Sequence, residues 1–441
     1  MKLLNILLIF FLFSSCSFDN KTGIWKDAND LSNDKSKTFI DFKKLGVDKE
    51  KYDEEVNLKN NYNFNIPQKI SHNKWEDIYY NKFNNYDNFA YNEEKKLILK
   101  SKKISRHKLN EHFLYDEGNL IAADERGNLI IFSLEKNQIV LKFNFYKKQY
   151  SKLKKNLNIV LSKSIIYVSD NLGFIYAFDY KKNQIIWAKN NKIPFRSNLK
   201  IDSNKLIAAD QNNRIYFFEK NNGNLLKLIP TEETKIKNNF KNNFTLNNET
   251  IFMINTYGSL YSIDNKENKV NWVSNLNQSL DVNTSNLFNG HQLINNNDYI
   301  IVSSQDSTYI MNSKTGNIND KLNITSVTKP LLIDNLLFLI SSNNLFVCLD
   351  ISTSEVVYSF KINNKIAEYL DIKKKKASFD DIIFANNKIL VLLQTGYIVE
   401  FEVTGKLKDI YKLPSRINSK LLFINNSILY VNNKNRIILL G

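Results

Sequence analysis

Short apolar runs separated by turns rich in Asn, Asp and Gly recur along most of this 441-residue chain. In the clearest copy, the apolar run Ile165–Val168 leads into a turn at 170–173 and then into the aromatic run Phe174–Phe178. Asp, Asn and Gly supply the side-chain bonds and positive φ that turns need, and aromatic runs suit half-buried strands. With a second turn at 179–183 and a third run at Gln184–Trp187, the pattern predicts a three-stranded antiparallel meander.

The same unit occurs eight times when its copies are aligned on the first turn. The aligned residue is always Gly, Asn or Asp, the types that best tolerate a left-handed backbone. These positions are Gly127, Gly173, Asn213, Gly258, Asp306, Asn344, Gly396 and Asn435. The 308 residues from the first to the last make seven steps that average 44. A second turn recurs ten residues later, at Asn137, Asn183, Gly223, Asn268, Gly316 and Ser354.

An aromatic residue fourteen positions after the first turn is a third periodic feature, at Trp187, Trp272 and Tyr358. A strand-rich period of about 40–50 residues is typical of β-propeller blades. We therefore predict an all-β fold, an eight-bladed β-propeller over residues 95–441. A β-sandwich with coincidental spacing is the alternative, but two turns and an aromatic in phase argue against it.

The eighth repeat stops at Gly441, just past its second strand. Its outermost strand must come from elsewhere, because otherwise a sheet edge stays open. We expect a strand within or beside Glu94–Lys103 to close the ring.

The N-terminus has the pattern of a bacterial lipoprotein signal. The apolar run Leu3–Phe13 is too short to span a bilayer as a helix but suits a secretory signal. Phe13-Ser14-Ser15-Cys16 resembles the lipobox, with Phe13 where Leu is usual. We predict a signal peptide over 1–15 and a lipid on Cys16; Ser17 is compatible with the outer membrane. An ordinary signal peptide cut near Ser15 is the alternative.

Residues 16–67 are charged and rich in Asn, which predicts a flexible tether. About fifty flexible residues span on the order of 40 Å, enough to hold a folded body clear of a membrane. Residues 68–94 are too aromatic for a linker, so we expect them to pack on the propeller. Their aromatic residues include Trp75, Tyr79, Tyr80, Phe83 and Tyr91.

The composition gives a net charge of +16, which would favour anionic headgroups or acidic partners. The alternative explanation of this charge is an AT-rich genome, which makes Lys, Asn and Ile abundant in any protein. No nucleic-acid-binding motif is evident, and we interpret Lys373–Lys376 as a solvated loop. The four His lack metal-ligand spacing, Cys348 lies in an apolar run, and no nucleophile or phosphate-binding motif occurs. We predict no cofactor, no metal and no enzymatic activity.

Two repeats carry a recognisable phrase, Ala177-x-Asp179…Asn183-x-x-x-Trp187 and Ser262-x-Asp264…Asn268-x-x-x-Trp272. It resembles the docking repeat of quinoprotein-type (PQQ-like) propellers, which implies a docking role for both Trp residues. With the lipobox, the tether and eight short blades, the chain resembles the family of propeller lipoproteins that form the B subunit of the outer-membrane β-barrel assembly machinery. That resemblance implies a lipid-anchored scaffold facing the periplasm. The scaffold would bind periplasmic domains of the central barrel-forming subunit and assist unfolded barrel proteins.

The resemblance also implies a partner-binding site on two loops. The family's aliphatic segment ending in Arg corresponds to Ile193-Pro194-Phe195-Arg196, and its Asp-x-Asp segment to Asp281-Val282-Asn283. Phe195 replaces an aliphatic residue and Asn283 replaces the second Asp. Because each segment follows a docking-Trp strand, we expect Ile193, Phe195, Arg196, Asp281 and Asn283 on one face, two blades apart. The alternative is that both segments are connectors without a partner.

Two other functions stay open. A PQQ-dependent dehydrogenase would usually be longer and would carry a Ca²⁺ site of carboxylate and amide ligands, which the sequence does not show. A cell-wall or carbohydrate-binding propeller would use exposed aromatics on one face. Only Trp25 and Trp75 are left for that role once Trp187 and Trp272 are assigned to docking.

Overall fold

The computed structural model describes residues 16–19, 24–27, 54–59, 62–234, 240–277, 287–304, 306–373 and 376–441. The chain divides into two units, Met1–Asp48 and Lys49–Gly441. In the first unit, strands β1 (Cys16–Asp19) and β2 (Ile24–Asp27) form an antiparallel hairpin. The predicted signal peptide lies outside the described residues. Within the described ranges, no helix has the length and apolar character needed to cross a membrane.

The second unit contains eight antiparallel sheets, the blades of a propeller. Two strands precede the first complete blade, β3 (Lys74–Trp75) and β4 (Leu97–Lys103). Blade 1 contains β5 (Leu114–Asp116), β6 (Asn119–Ala123), β7 (Asn128–Ser133) and β8 (Gln138–Asn144). Blade 2 contains β9 (Leu157–Ser162), β10 (Ile165–Asp170), β11 (Phe174–Asp179) and β12 (Gln184–Asn190). Blade 3 contains β13 (Lys200–Asp202), β14 (Lys205–Ala209), β15 (Ile215–Glu219) and β16 (Leu225–Ile229). Blade 4 contains β17 (Asn243–Leu246), β18 (Thr250–Ile254), β19 (Ser259–Asp264) and β20 (Val270–Asn275).

The remaining blades repeat this order. Blade 5 contains β21 (Ile294–Asn295), β22 (Tyr299–Ser303), β23 (Thr308–Asn312) and β24 (Ile318–Leu322). Blade 6 contains β25 (Leu331–Ile333), β26 (Leu336–Ile340), β27 (Leu345–Asp350) and β28 (Glu355–Lys361). Blade 7 contains β29 (Phe379–Ala385), β30 (Lys388–Leu393), β31 (Tyr397–Glu402) and β32 (Leu407–Lys412). Blade 8 contains β33 (Leu422–Ile424), β34 (Ser427–Val431) and β35 (Arg436–Leu440). A 3₁₀ helix covers Lys148–Tyr150, and α1 (Ile362–Tyr369) connects blades 6 and 7.

The eight-bladed propeller predicted from the repeats is confirmed, with one addition. Each blade has four strands, which we call a to d from the ring axis outward, whereas the repeat pattern predicted three; in blade 1, β3 adds a fifth strand at the inner edge. The strand that the repeat pattern missed in each blade is strand a. It is short in blades such as the third, where Lys200–Asp202 alternates polar and apolar residues, so its sequence signal is weak.

The ring closes as expected from the incomplete last repeat. Strand β4 pairs antiparallel with β35 and becomes the outermost strand of blade 8. Leu99 lies opposite Leu439, and the Ile437 N–H donates to Ser101 Oγ at 2.8 Å. Residues from both ends of the propeller therefore share one sheet, and the predicted donor segment is confirmed.

The backbone at the aligned turns explains why the repeat keeps Gly, Asn and Asp there. Seven of the eight first-turn residues have positive φ: Gly127, Gly173, Asn213, Gly258, Asn344, Gly396 and Asn435. All six second-turn residues do as well: Asn137, Asn183, Gly223, Asn268, Gly316 and Ser354. Because β-branched and bulky residues are strained at positive φ, these positions punctuate the strands at fixed intervals.

The aromatic residue in the d strand docks on the next blade. Trp187 Nε1 donates to the Lys220 carbonyl at 2.9 Å, and a Cβ on Gly223 would lie 2.6 Å from the Trp187 ring. A Cβ on Gly316 would likewise lie 2.6 Å from the Trp272 ring. Both Trp residues therefore occupy the space above the second turn of the following blade. Gly is needed in that turn because the indole ring leaves no room for a Cβ atom.

Tyr358 repeats this arrangement between blades 6 and 7. Its hydroxyl donates to the Val403 carbonyl at 2.7 Å, and a Cβ on Gly405 would lie 2.6 Å from its ring. Docking aromatic residues thus lie in blades 2, 4 and 6, and the glycines on which they pack lie in blades 3, 5 and 7. Where the equivalent d-strand residue is not aromatic, the next second turn is not Gly. The equivalent pairs are Leu141 with Asn183, Lys227 with Asn268, and Asp320 with Ser354.

The aromatic segment before the ring threads its central channel. We call residues 70–92 the strap, because it touches the a strand of one blade after another. Its ordered contacts are Trp75 with Tyr115, Glu76 with Leu161, Asp77 with Lys200, Lys82 with Leu246, Phe83 with Asn295, Asn85 with Leu332, and Phe89 with Phe384. Asn92 then bonds Asn426 of blade 8. The strap therefore ties all eight blades together from inside.

The strap closes one end of the channel with buried aromatic rings. Trp75, Tyr80, Tyr86 and Phe89 form a contiguous cluster, and Phe89 stacks on Phe423 of blade 8 with ring centroids 5.1 Å apart. This end carries the turns between strands a and b, and we call it the turn face. The opposite end carries the connections between blades, and we call it the loop face.

The last part of the predicted tether lies on the ring. Val56 exchanges two backbone hydrogen bonds with Ser359 in β28, and Tyr62 donates its hydroxyl to Asp350 Oδ2 at 2.6 Å. The chain from residue 54 thus runs along the outer edge of blade 6 before it enters the channel. It covers unpaired backbone groups and apolar side chains such as Val357, which are otherwise exposed at a sheet edge.

We expect Gly223→Ala to destabilise the ring by roughly 2 kcal/mol or more, because the new methyl meets the docked Trp187 and the backbone has positive φ. Gly118→Ala is the matched control, since Gly118 also has positive φ but a Cβ added there would have no neighbour within 4 Å. That control should lose about 1 kcal/mol. Urea denaturation of both variants measures the difference, and equal losses would contradict the docking interpretation.

Candidate functional site

A ring of polar side chains lines the channel beneath the loop face. Each blade supplies one residue, which lies in its a strand or two residues before that strand, at an equivalent position relative to the a–b turn. We call this set the polar ring: His112, Asn158, Asn198, Asn243, Gln292, Lys329, Asp381 and Lys420. The eight side chains lie at one level because the a strands have the same register relative to their a–b turns.

Tyr79 of the strap crosses the channel at this level. Its ring stands edge-on to His112 with centroids 5.1 Å apart, and it hydrogen-bonds the side chains of Gln292 and Asn243 on the other side. Burial raises the pKa of Tyr79 to about 12. The phenol therefore stays neutral and separates the open mouth on the loop face from the packed strap below.

Two buried lysines attach the strap to the ring. Lys200 Nζ donates to Asp77 Oδ2 at 2.7 Å and to Asn84 Oδ1 at 2.6 Å. Lys329 Nζ donates to the Asn84 carbonyl at 2.9 Å and lies 3.6 Å from the centre of the Tyr86 ring. Burial lowers the pKa of Lys329 to about 8. These ammonium groups are fully used by the strap, so they are structural rather than available to a ligand.

Lys420 completes the network from blade 8. Its Nζ lies 3.2 Å from Asp380 Oδ2 and 3.7 Å from Asp381 Oδ2. Burial alone would lower its pKa, but Asp381 and Asp380 outweigh burial and leave the pKa raised. Tyr86 donates its hydroxyl to Asp381 at 3.0 Å, so this pair also contacts the strap.

The mouth above Tyr79 is a charged, water-accessible depression. One cavity of about 310 Å³ lies over Ile78 and Tyr79 and is lined by Glu111, Lys155 and Lys241, among others. A second cavity of about 350 Å³ lies between blades 7 and 8 and shares Lys108 and Glu111 with the first. Mixed charge at an open mouth suits a polar segment of a partner better than an apolar ligand.

Arg196 lies in the connection between blades 2 and 3, near Lys241 of this mouth. The backbone N–H of Arg196 donates to the Ala209 carbonyl at 2.9 Å, and the backbone carbonyl of Arg196 accepts from the Asn242 N–H at 3.1 Å. Burial lowers the pKa of the guanidinium. Burial also lowers the pKa of Lys241, with Glu111 opposing and Arg196 adding to the shift. Arg196, Lys241 and Glu111 thus converge at one edge of the mouth.

The structure corrects the expectation for Phe195. This side chain is only 2% exposed and packs against Tyr216 and Phe218, with centroids 5.9 and 6.3 Å away. It cannot act as a surface anchor, because its ring fills the gap between blades 2 and 3 and supports Arg196 from beneath. Ile193 is partly exposed beside it.

The other predicted site residues have different outcomes. Asp281 and Asn283 lie outside the described residues, in the connection between blades 4 and 5. Cys16 lies in β1, and its lipidation stays a prediction. Trp187 and Trp272 lie at the blade interfaces described above, so they belong to the frame of the ring and are distant from its mouth.

Sequence reasoning missed the polar ring and the path of the strap. A signal for the ring does exist, since a polar residue recurs four positions before each a–b turn. It was overlooked because the a strands were not identified, and their register became visible only when the blades were aligned in three dimensions.

The channel does not match the site of a quinone-dependent dehydrogenase. Within the described ranges, no group of three or more His, Cys, Asp or Glu is arranged to hold a metal ion. The polar ring offers mainly amide and ammonium groups, and the channel axis is filled by Tyr79. The described residues therefore do not fit a planar cofactor with a bound cation at this level.

Comparison with known families decides the family of this propeller. A family model described as outer membrane protein assembly factor BamB matches residues 101–360, more than half of the chain. The chain belongs to the BamB family. The matched region runs from the closing strand β4 through blade 6.

Solved structures share the fold of this BamB-family protein. BamB from Moraxella catarrhalis matches with a TM-score of 0.59 and 14% identity, over 78% of this chain and 100% of that one. Quinohemoprotein alcohol dehydrogenase from Comamonas testosteroni matches at 0.57 and 8% identity, over 81% and 76% of the two chains. A europium-containing methanol dehydrogenase matches at 0.59 and 10% identity, over 83% and 89%. A search of curated protein sequences finds no significant match.

We expect His112 to make stability depend on pH. Burial, followed by the charges of Lys420 and Lys241, lowers the pKa of His112 to about 3. Because this pKa is below that of the unfolded chain, about 6.5, the stabilisation is complete above pH 6.5 and is lost as pH falls towards 3. The unfolding free energy should drop by about 1 kcal/mol between pH 7.5 and 5.5 from this group.

Urea denaturation at both pH values, on the wild type and His112→Gln, tests this expectation. The variant should lose most of that pH dependence. Asn158→Gln is the control, because it changes the same polar ring without removing a titratable group. An unchanged pH dependence in His112→Gln would contradict the assignment.

Proposed function

We propose that this BamB-family protein is a non-catalytic scaffold of the outer-membrane β-barrel assembly machinery. In this proposal it is anchored by a lipid on Cys16 and faces the periplasm. It binds periplasmic domains of the central barrel-forming subunit and assists folding and insertion of barrel proteins. The observation that carries the proposal is the family match over most of the blades, on a ring whose channel is filled by its own strap.

The loop-face mouth beside Arg196 is the proposed binding site. A guanidinium presents a planar fork that suits a carboxylate or the carbonyls of an extended segment. The neighbouring Lys241 keeps this edge positive, while Glu111 offers an acceptor nearby. Because Phe195 locks the base of the loop, Arg196 needs little ordering on binding, which favours affinity.

The Asp281 loop forms the second half of the proposed site. It follows the d strand of blade 4, as the Arg196 loop follows the d strand of blade 2. Connections of this type all emerge on the loop face of a propeller, because every blade has the same strand order. The two segments are then two blades apart and can contact the same partner.

A quinoprotein dehydrogenase is the alternative function, because two dehydrogenases share the fold. The filled channel and its amide-rich ring argue against it. Purified protein incubated with PQQ and Ca²⁺ should show no dye-linked oxidation of alcohols, and clear activity would favour the alternative.

We expect Arg196→Ala to weaken binding to the periplasmic domains of the barrel-forming subunit by roughly thirtyfold, about 2 kcal/mol, as is usual for a central interface Arg. Combining it with Asp281→Ala should weaken binding further. Isothermal titration calorimetry with both purified proteins measures the affinity, after melting curves establish that each variant is folded.

Lys192→Ala is the control for general charge loss, since Lys192 is exposed at the start of the same connection. It should change the affinity less than about threefold. Full binding by a well-folded Arg196→Ala, Asp281→Ala double variant would remove this site from the proposal.

Membrane anchoring has its own test. Cys16→Ala removes the acylated atom, so the protein should move from the outer-membrane fraction to the soluble periplasmic fraction or stay as an uncleaved precursor. Fractionation followed by immunoblotting measures this. A Cys16→Ala protein that is processed and retained as firmly as the wild type would reject lipid anchoring.

A further inference from the structure

The connection between blades 6 and 7 ends in an exposed apolar cluster. Tyr369, Leu370 and Ile372, at the end of α1 and just after it, are 48%, 39% and 50% exposed. We call these three residues the tip. Three large apolar side chains exposed within four residues form a patch of the kind that marks an interaction site.

The base of this connection is firmly held, so the direction of the tip is defined. Ile362 and Asn363 are buried at the start of α1. Lys365 Nζ donates to the Gly405 carbonyl at 2.9 Å and lies 3.8 Å from the centre of the Phe360 ring. The base of α1 is therefore held against the second turn of blade 7, and the Tyr369 hydroxyl donates to Asp409 Oδ1 in β32 at 3.3 Å.

The N-terminal chain leaves the ring beside this helix. Val56 pairs with Ser359, and the Lys361 N–H donates to Glu55 Oε1 at 2.9 Å. Lys361 is the last residue of β28 and directly precedes α1. The segment that leads back to Cys16 thus departs within one residue of the start of the helix that carries the tip.

The connection that carries the tip has a net positive charge of its own, while Asp409 and Glu55 approach it from neighbouring segments. The described residues of 361–376 include four exposed or partly exposed lysines and two exposed acids, a net charge of +2. The lysines are Lys361, Lys365, Lys373 and Lys376, and the acids are Glu368 and Asp371. Apolar side chains flanked by lysines match the interfacial layer of a bilayer that contains anionic lipids.

We infer that the tip contacts the headgroup layer of the membrane that anchors the chain. The inference rests on the proposed lipid at Cys16. Thirty-seven residues lie between Cys16 and Glu54, and the random-coil estimate for a chain of that length is about 35 Å. A lipid surface held that close to the exit point needs only weak affinity for the tip. The contact orients the ring, with the side of blades 6 and 7 towards the bilayer.

Fluorescence of the acylated full-length protein tests this contact. The protein is reconstituted in vesicles of phosphatidylethanolamine and phosphatidylglycerol, roughly three to one, with a spin-labelled lipid as quencher. An environment-sensitive dye is attached to Leu370→Cys, while the native Cys348 is buried and unreactive. The matched control is Leu228→Cys, because Leu228 is 37% exposed and lies in blade 3, across the ring from blade 7.

The dye at position 370 should be quenched at least about threefold more strongly than the dye at 228. Lys373→Glu with Lys376→Glu should reduce that quenching, as should vesicles of phosphatidylcholine alone. Equal quenching at both positions, in protein that floats with the vesicles, would overturn the contact while leaving the anchor intact. Protein that fails to float would reject both.

A protein partner at the tip gives a different result. Quenching would be absent, and the dye at 370 would shift only when the periplasmic domains of the barrel-forming subunit are added. That outcome would also overturn the lipid contact. Affinity for those domains is measured separately on Arg196→Ala, so failure of the partner site and failure of the tip are distinguishable.

Discussion

Backbone pairing between β4 and β35 determines where the rest of the N-terminal chain must run. A propeller whose last sheet lacks a strand has an open edge, and β4 fills it with residues that precede the first complete blade. Once β4 is fixed at the rim of blade 8, the residues before it must reach that rim from somewhere. They do so from the channel, where the strap pairs with one a strand after another. The same N-terminal segment therefore closes the ring and fills its channel.

Within the ring, aromatic docking is unequal between neighbouring blades. Trp187, Trp272 and Tyr358 each lie on a Gly of the next blade, whereas the intervening interfaces lack such a pair. The aromatic ring fills the space left by the absent side chain of Gly, so the aromatic residue and the Gly occur together. This explains why Gly appears at second turns 223, 316 and 405 although Asn or Ser supports the same positive φ elsewhere.

The strap also decides what the channel can do. Lys200 and Lys329 direct their ammonium groups to strap carbonyls and side chains, and Tyr79 spans the axis above them. Lys200 is paired with Asp77, whereas Lys329 donates to the Asn84 carbonyl and lies over the Tyr86 ring. The part that remains open is the loop-face mouth, and it is there that Arg196, Lys241 and Glu111 meet. The proposed binding role is therefore assigned to this mouth and not to the channel axis, where Tyr79 contacts His112.

Residue types and spacing along the chain were enough to determine the repeat, the number of blades, the turn positions and the closing strand. These depend on local chemistry: alternation of apolar residues, positive φ at Gly and Asn, and a missing strand at the end. The role of Phe195 was predicted wrongly, because sequence shows that a residue is aromatic but not which way its ring points. The path of the strap and the alignment of the polar ring were decided by the tertiary structure. Their residues are far apart in the chain, Tyr86 and Asp381 by 295 positions, and they meet only because closure brings all eight a strands around one axis.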